Sequence, residues 1–520
     1  MRSPRRAAGR RAASLVGSTM IGLLAIDGLS ATASSARATA ADDPGTAAQL
    51  QQLKQEIERE QQLLQQEQAR IQQLEQRLAT DEAAAAKPAA TSVAAAAPAQ
   101  RAPISNFSPN GFTLASADGR NAIHFRGNLS VDGRYYSDAY TPMTDDTWLI
   151  RRLRPTLEGT LWGNFDFRFM PDFAQGKSIL QDAWGDVRFA PWAVLQFGKF
   201  KAPVGLERLQ LEQFARFIEV SLPSDLLPYR DLGVKLGGVI GPGVLFYDLG
   251  ILDGTTDGGS TDANSVPDQN STGRFTFDGR LFSKPFTATD MPWLKGLGVG
   301  VAGTYVNATG VATASATSST TSSLLASYKT PGQQSMFSYR GNTSTGKFNN
   351  ATIADGIERR IVPQFYYYFR SLGLLGEYVH EQQQVRRQLS ATGVSTATLT
   401  NTAWQIQGAF FLTGEDEAYD SFKPRHDFNF GGGGWGAWEL VARYHTLHFD
   451  PDAFLGGSSS FANPQSSPSA AHAIGGGVNW YMNQNFRIQL DYEVTRFDGG
   501  AIVGNRPDER VLISQFALTF

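Results

Sequence analysis

From Ile104 to Phe520 one pattern recurs along the chain: apolar and polar residues alternate with a period of two. In residues 123–135, Ile123, Phe125, Leu129, Val131 and Tyr135 share one face, while His124, Arg126, Asn128, Ser130, Asp132 and Arg134 share the other. Residues 164–169 set Phe165, Phe167 and Phe169 against Asn164, Asp166 and Arg168. Residues 486–495 set Phe486, Ile488, Leu490, Tyr492 and Val494 against Arg487, Gln489, Asp491, Glu493 and Thr495. Successive side chains of a strand point to opposite faces, so strands with lipid on one side and water on the other must read this way. The alternation predicts sixteen strands, near 122–136, 147–161, 163–174, 178–189, 193–201, 230–240, 243–253, 273–283, 296–308, 355–370, 372–390, 399–413, 435–448, 472–482, 485–498 and 509–520.

A soluble sandwich would alternate as well. Connection lengths favour a transmembrane barrel, whose periplasmic turns are short and whose external loops are long. Even-to-odd connections are mostly tight, at Trp162, Ala190 to Trp192, Gly241-Pro242, Ser371 and Asn483-Gln484, with 284–295 and 414–434 as longer exceptions. Odd-to-even connections include the long segments 202–229, 254–272, 309–354 and 449–471, beside short ones at 175–177 and 391–398. The expected fold class is all-β: a transmembrane antiparallel β-barrel of about 16 strands over 104–520, preceded by an N-terminal α-helical coiled coil. An even count puts both barrel ends on the periplasmic side.

Ahead of the alternating region the pattern differs. Arg2, Arg5, Arg6, Arg10 and Arg11 precede an apolar stretch from Ala13 to Leu29, and Ala38-Thr39-Ala40 is a small-residue cleavage site, so residues 1–40 read as a signal peptide. Leu50, Ile57, Leu64, Ile71 and Leu78 then recur every seven residues, as one position of a heptad does. Residues 48–82 are therefore expected to form a periplasmic coiled coil, weakened by Glu60 and Glu67 at the second seam position beside Leu53 and Leu74. The Ala/Pro stretch 83–103 reads as a linker.

Composition narrows the chemistry. There is no cysteine, which removes thiol catalysis, zinc–thiolate sites and disulfides. A formal net charge of −3 gives no sign of nucleic-acid binding. His445 and His448 lie three apart on a predicted strand, which points them to opposite faces and argues against a shared metal. The run Gly431 to Gly434 lacks the Lys-Ser/Thr ending of a phosphate loop, and Glu415-Asp416-Glu417 reads as solvated loop charge. No nucleophile–base arrangement, metal or cofactor is called for. What remains is the wall of the lumen, where charged residues set which solutes pass. Its predicted bases are Arg126, Arg134, Arg152, Arg154, Arg168, Arg188, Lys235, Arg274, Arg280, Arg443 and Arg487. Its acids are Asp132, Glu158, Asp166, Asp182, Asp186, Asp278, Glu439, Asp491 and Glu493.

Several motifs follow in order: Arg151-Arg152-Leu153-Arg154-Pro155-Thr156-Leu157-Glu158-Gly159, Asp182-Ala183-Trp184 and Gly198-Lys199-Phe200-Lys201-Ala202-Pro203-Val204-Gly205-Leu206-Glu207. Phe217-Ile218-Glu219, Leu222-Pro223-Ser224 and Arg230-Asp231-Leu232-Gly233-Val234 complete the series. In order and spacing the chain resembles the phosphate-selective porin family of the O and P type, over about 110–520. The resemblance implies a homotrimeric channel in the outer membrane of a Gram-negative bacterium, bedded in its lipids and passing small anionic solutes, phosphate or polyphosphate among them. It also implies that the third external loop, here 202–229, folds into the pore. The lysine of the family's Gly-x-Phe-Lys motif corresponds to Lys201, with Lys199 beside it. Loop 202–229 departs from the family's lysine cluster, containing only Arg208 and Arg216 as bases. Leu195 and Phe197 share parity with both lysines, so lipid-facing apolar residues there would leave Lys199 and Lys201 at the external rim. The last strand, with Leu512, Phe516, Leu518 and the terminal Phe520 on one face, resembles the signature read by the barrel assembly machinery. Two other functions fit the same sequence: a general non-selective porin, and a structural barrel that tethers the envelope through its coil.

Overall fold

A computed structural model of the chain describes residues 104–137, 146–254, 275–315, 318–344 and 348–520. The expected leader 1–40, coil 48–82, linker 83–103 and Arg274 lie outside the described residues. Sixteen long strands form the wall: β1 (Ala122–Tyr136), β2 (Thr147–Leu161), β3 (Phe165–Asp172), β4 (Ile179–Ala190), β5 (Ala193–Lys201), β6 (Arg230–Ile240), β7 (Leu245–Leu252) and β8 (Thr276–Ser283). The second half comprises β9 (Leu297–Thr309), β10 (Thr352–Phe369), β11 (Leu372–Gln388), β12 (Val394–Phe411), β13 (Ala437–His448), β14 (Pro468–Tyr481), β15 (Phe486–Gly499) and β16 (Glu509–Thr519). Each pairs antiparallel with the next, and β16 returns to β1 in the register Gln515↔Asp132 and Phe516↔Val131. The sheet therefore closes, and no wall strand presents an unpaired edge to lipid. The terminal residue completes the seam: Gly127 N–H donates to the Phe520 carbonyl at 2.9 Å, and Phe520 N–H to the Gly127 carbonyl at 3.1 Å. A short hairpin, Ile104–Ser108 with Gly111–Ala115, pairs with the lower part of β1 and extends the wall beneath Phe520.

Outward-facing side chains are apolar. Trp162, Phe189, Trp192 and Trp293 ring the end with tight turns, and Tyr135, Trp148, Tyr305, Tyr378, Trp404, Tyr444 and Tyr492 form a second exposed aromatic row nearer the long loops. Two such girdles flanking an apolar band mark a membrane-spanning barrel, with the short turns in the periplasm. The β2–β3 turn shows why these connections stay short: Trp162 (φ 52°) and Gly163 (φ 85°) both adopt the left-handed backbone of a tight hairpin. Among the described residues no helix is long and apolar enough to cross a membrane; the crossing is made by strands.

The strands match the alternation closely; β3 and β7 are shorter at both ends than the alternation predicts, and three other strands start earlier for one reason. β10 begins at Thr352, β12 at Val394 and β14 at Pro468, each three to five residues before the apolar pattern starts. The β11–β12 ladder runs on to Gln388↔Val394, carrying Thr396, Thr398 and Thr400 past the upper aromatic row. Outside the lipid these strands no longer need an apolar face, so the hydropathy signal stops before the hydrogen bonds do.

Candidate functional site

Loop 202–229 leaves the external end of β5, folds into the barrel and returns to β6, and most of its residues are buried. Its bonds reach the opposite wall. Leu206 N–H donates to Glu377 on β11 at 2.7 Å, Ile218 N–H to Asp491 on β15 at 2.7 Å, and Leu222 N–H to Nδ1 of His445 on β13 at 3.1 Å. From the wall inward, Arg360 donates to the Leu226 carbonyl at 2.5 Å, Arg443 to the Glu219 carbonyl at 2.7 Å and Asn479 to the Arg216 carbonyl at 2.9 Å. Arg487 donates to the carbonyls of Gln213, Ala215 and Glu212 at 3.0, 2.9 and 3.2 Å. The loop thus crosses the lumen and is fastened by these bonds to five wall strands, β10, β11, β13, β14 and β15.

Two ionic anchors hold its ends of travel. Glu219 accepts two bonds from Arg151, at 2.9 and 3.0 Å, and one from Arg134 at 2.5 Å. Burial alone would raise this carboxyl, but the guanidiniums of Arg151 and Arg134 hold it below the usual carboxylate range. On the other side Arg216 pairs with Glu417 and, at 2.8 Å, with Glu439. The expected solvated acid cluster is therefore corrected: Glu415 and Glu417 are buried while only Asp416 is exposed, because the 412–436 connection folds inward to meet Arg216.

Burial pushes Glu417 up to about 9, with Glu439 adding to the rise and Arg216 opposing it. A carboxyl raised on folding contributes stability that is complete below its unfolded value of 4.5 and is lost as pH climbs through 9. The apparent melting temperature in detergent is expected to fall from pH 5 to pH 9, and Glu417→Gln to flatten that fall. Identical profiles for the two proteins would contradict the assignment.

Beneath the loop, toward the periplasm, lies a vestibule of about 320 Å³. Its charged lining is Arg126, Arg152, Arg168, Lys201, Arg230, Lys235 and Arg487 against Glu158, Asp182 and Glu212. A second cavity of about 40 Å³ continues through the loop and shares Arg152, Lys201, Glu212 and Arg487 with the first. This second cavity is the smaller of the two, about one-eighth of the vestibule's volume.

The sequence-predicted residues divide accordingly. Lys201, Arg126, Arg152, Arg168, Lys235 and Arg487 line the vestibule. Lys201 shares strand parity with the lipid-facing Phe197, yet at the strand's end its ammonium turns inward, donating to the Gln210 carbonyl at 2.8 Å and lying 5.7 Å from the Tyr229 ring. Arg208 and Arg216 line the smaller cavity but are engaged in holding the loop: Arg208 donates to the Ser224 carbonyl at 2.6 Å. Arg134, Arg154 and Arg443 are buried in ion pairs, with Glu219, Asp172 and Glu493 respectively. Arg188 pairs with Asp166 near the periplasmic rim, and Arg280 lies 4.5 Å from the Phe282 ring. Lys199 is buried opposite Ala183 and Leu232 in the ladder and lines neither cavity.

Two inward bases escape a simple reading of parity. Arg230 closes on Asp182 at 2.7 Å from the end of β6. Arg151 is the extra residue of a bulge: Ser130 pairs with Arg152 and Val131 with Ile150, so Arg151 is skipped and turns inward beside Arg152. The signal was present, since Trp148 and Ile150 face out on even numbers while Leu153 and Leu157 face out on odd ones.

A closed sixteen-stranded barrel with an aromatic-bounded apolar exterior, a charged lumen and a loop folded across it defines an outer-membrane porin, a channel rather than an enzyme. The chain belongs to the family "Phosphate-selective porin O and P", whose sequence model matches residues 123–498, and its location is the outer membrane of a Gram-negative bacterium. The barrel is similar to the solved outer-membrane protein OmpT of Vibrio cholerae (11% identity, TM-score 0.46, covering 77% of this chain and 98% of that one). It is also similar to the channel DcaP of Acinetobacter baumannii (10%, 0.46, 79% and 99%) and to an anion-selective porin from Comamonas acidovorans (11%, 0.46, 77% and 100%). Among curated proteins no sequence matches. The motifs that carry the family resemblance turn out to be fasteners of the loop. Arg151 joins Glu219, Asp182 joins Arg230, and Glu207 accepts from Ser221 N–H at 2.9 Å and from the Ser224 hydroxyl at 2.8 Å.

Proposed function

We propose that the protein is a passive, anion-preferring diffusion channel for small solutes, working as a homotrimer. One observation carries this reading: the vestibule lining counts seven cationic side chains against three carboxylates. Arg487 matters most within it, because its bonds go to backbone carbonyls, and among the described residues no carboxylate lies within ion-pairing distance. Fixed positive charge lining the passage lowers the cost of an entering anion and raises that of a cation.

Phosphate or polyphosphate is a narrower reading that rests on the family. Here Arg208 and Arg216 are committed to Ser224, Glu417 and Glu439, which favours small anions in general over a dedicated phosphate site. For assembly, Phe520 on its closing strand is the residue we expect the barrel assembly machinery to read. The test of conduction is the reversal potential of single channels in a potassium chloride gradient, repeated with phosphate replacing chloride. A chloride-directed potential is expected, with phosphate carrying current without abolishing that of chloride; a cation-directed potential would overturn the reading.

A further inference from the structure

The vestibule is cationic but also carries apolar surface that a purely ionic solute cannot use. On the loop side Leu209, Leu211 and Phe214 face the cavity, and Leu211 keeps 40% of its surface exposed although the loop could have turned it into the core. Apolar area left in water forgoes roughly 25 cal/mol per Å², so such surface in a wet lumen is costly unless something covers it. A cation beside this strip is Arg487, bonded to the carbonyls of Glu212, Gln213 and Ala215 within the same segment.

Arg487 has five N–H donors, and those three bonds use both hydrogens of Nη1 and one of Nη2. Nε–H and one Nη2–H carry none of these three bonds, and an Nε–Nη2 edge can meet a carboxylate with two parallel bonds. The guanidinium lies 5.6 Å from the Tyr481 ring, and Phe422 packs on Tyr481 at 4.5 Å between centroids; all three residues line the vestibule. Arg487, 7% exposed where it lines the vestibule, thus lies beside Tyr481, with Phe422 packed on that ring and Phe214 in the same lining.

Resting on the anion-preferring reading, we propose that the vestibule is a binding site for amphipathic organic anions, specifically ring-bearing monocarboxylates. The carboxylate is held by Arg487 and the ring covers Leu211 and Phe214. A cavity of about 320 Å³ accommodates a solute of that size on the periplasmic side of the loop, where it also obstructs flow.

The test is block of single-channel chloride current by acetate, benzoate and cyclohexanecarboxylate, added to each side in turn. These probes carry equal charge and differ in apolar body. Benzoate and cyclohexanecarboxylate are expected to block at least tenfold more potently than acetate, and from the periplasmic side. Leu211→Ser is expected to weaken benzoate about fivefold without affecting acetate, as loss of one apolar contact surface does. Arg487→Lys, which keeps the charge and loses the fork, is expected to weaken both carboxylates. Equal potency of acetate and benzoate in a channel whose reversal potential is chloride-directed overturns this proposal alone. A cation-directed potential overturns the reading beneath it.

Discussion

Glu219→Ala is expected to raise single-channel conductance several-fold and to lower the thermal stability of the purified protein. Glu219 joins the loop to both β1 and β2, through Arg134 and Arg151, beside Glu212, which pairs with Arg154 of β2, and Gln333 of the external segment between β9 and β10 also donates to Glu219 at 3.2 Å. Truncation removes the carboxylate that Arg134 and Arg151 share and leaves Arg134 beside Asp132 at 3.5 Å; taking one partner out of a buried ion pair typically costs about 3–5 kcal/mol. The sixteen-strand ladder is untouched, so the energy is relieved by the loop leaving its seat while the wall persists. Glu219→Gln keeps the shape without the charge and is expected to give a smaller change in the same direction. Because the folded carboxyl is held below the usual range, the anchor is complete above an ordinary carboxylate pKa and is lost only as pH falls through its depressed value. Wild-type conductance is accordingly expected to climb in acid, and the Glu219→Ala channel to lack that climb. Unchanged conductance in the variant would show that the loop is held by its other contacts.

The second large effect concerns selectivity. Lys201 lines both the vestibule and the smaller cavity, so its charge acts on both spaces. A unit charge acting at about 5 Å through a largely aqueous path contributes roughly 0.8 kcal/mol, or about fourfold in the ratio of anion to cation permeability. Lys201→Ala is expected to lower that ratio by this factor, and Lys201→Glu, with twice the change in charge, to lower it by about fifteenfold and reverse the preference. Both effects are expected to shrink at high salt, where the Debye length falls to about 3 Å at 1 M. A permeability ratio that ignores both substitutions would remove Lys201 from the conduction path.

The residues behind these two predictions differ in how visible they were. Lys201 was named from its motif, but strand parity argued for the external rim. It reaches the lumen because β5 ends there and the side chain bends toward Gln210, a contact created by the loop itself. Arg151 was hidden by a bulge, and Glu417 by its polar neighbours, which in sequence look like an exposed turn. Arg208 and Arg216, expected at the constriction, line the smaller cavity and also bond Ser224, Glu417 and Glu439. Whether a guanidinium meets a solute or a carboxylate depends on a partner some two hundred residues away, as for Arg216 and Glu417. No local pattern encodes that.

The chain's own order of residues was enough for the wall. A period-two alternation needs only local backbone geometry and the contrast between lipid and water, so strand number, the closing strand and the direction of the turns could be read directly. Tertiary structure alone decided the interior. Seating 202–229 across the lumen brings Glu219 to Arg134 and Arg151, Arg216 to Glu417, and Arg487 to three loop carbonyls. Those long-range pairings fix the size and sign of the passage, because a charge counts toward permeation only when folding leaves it unmatched.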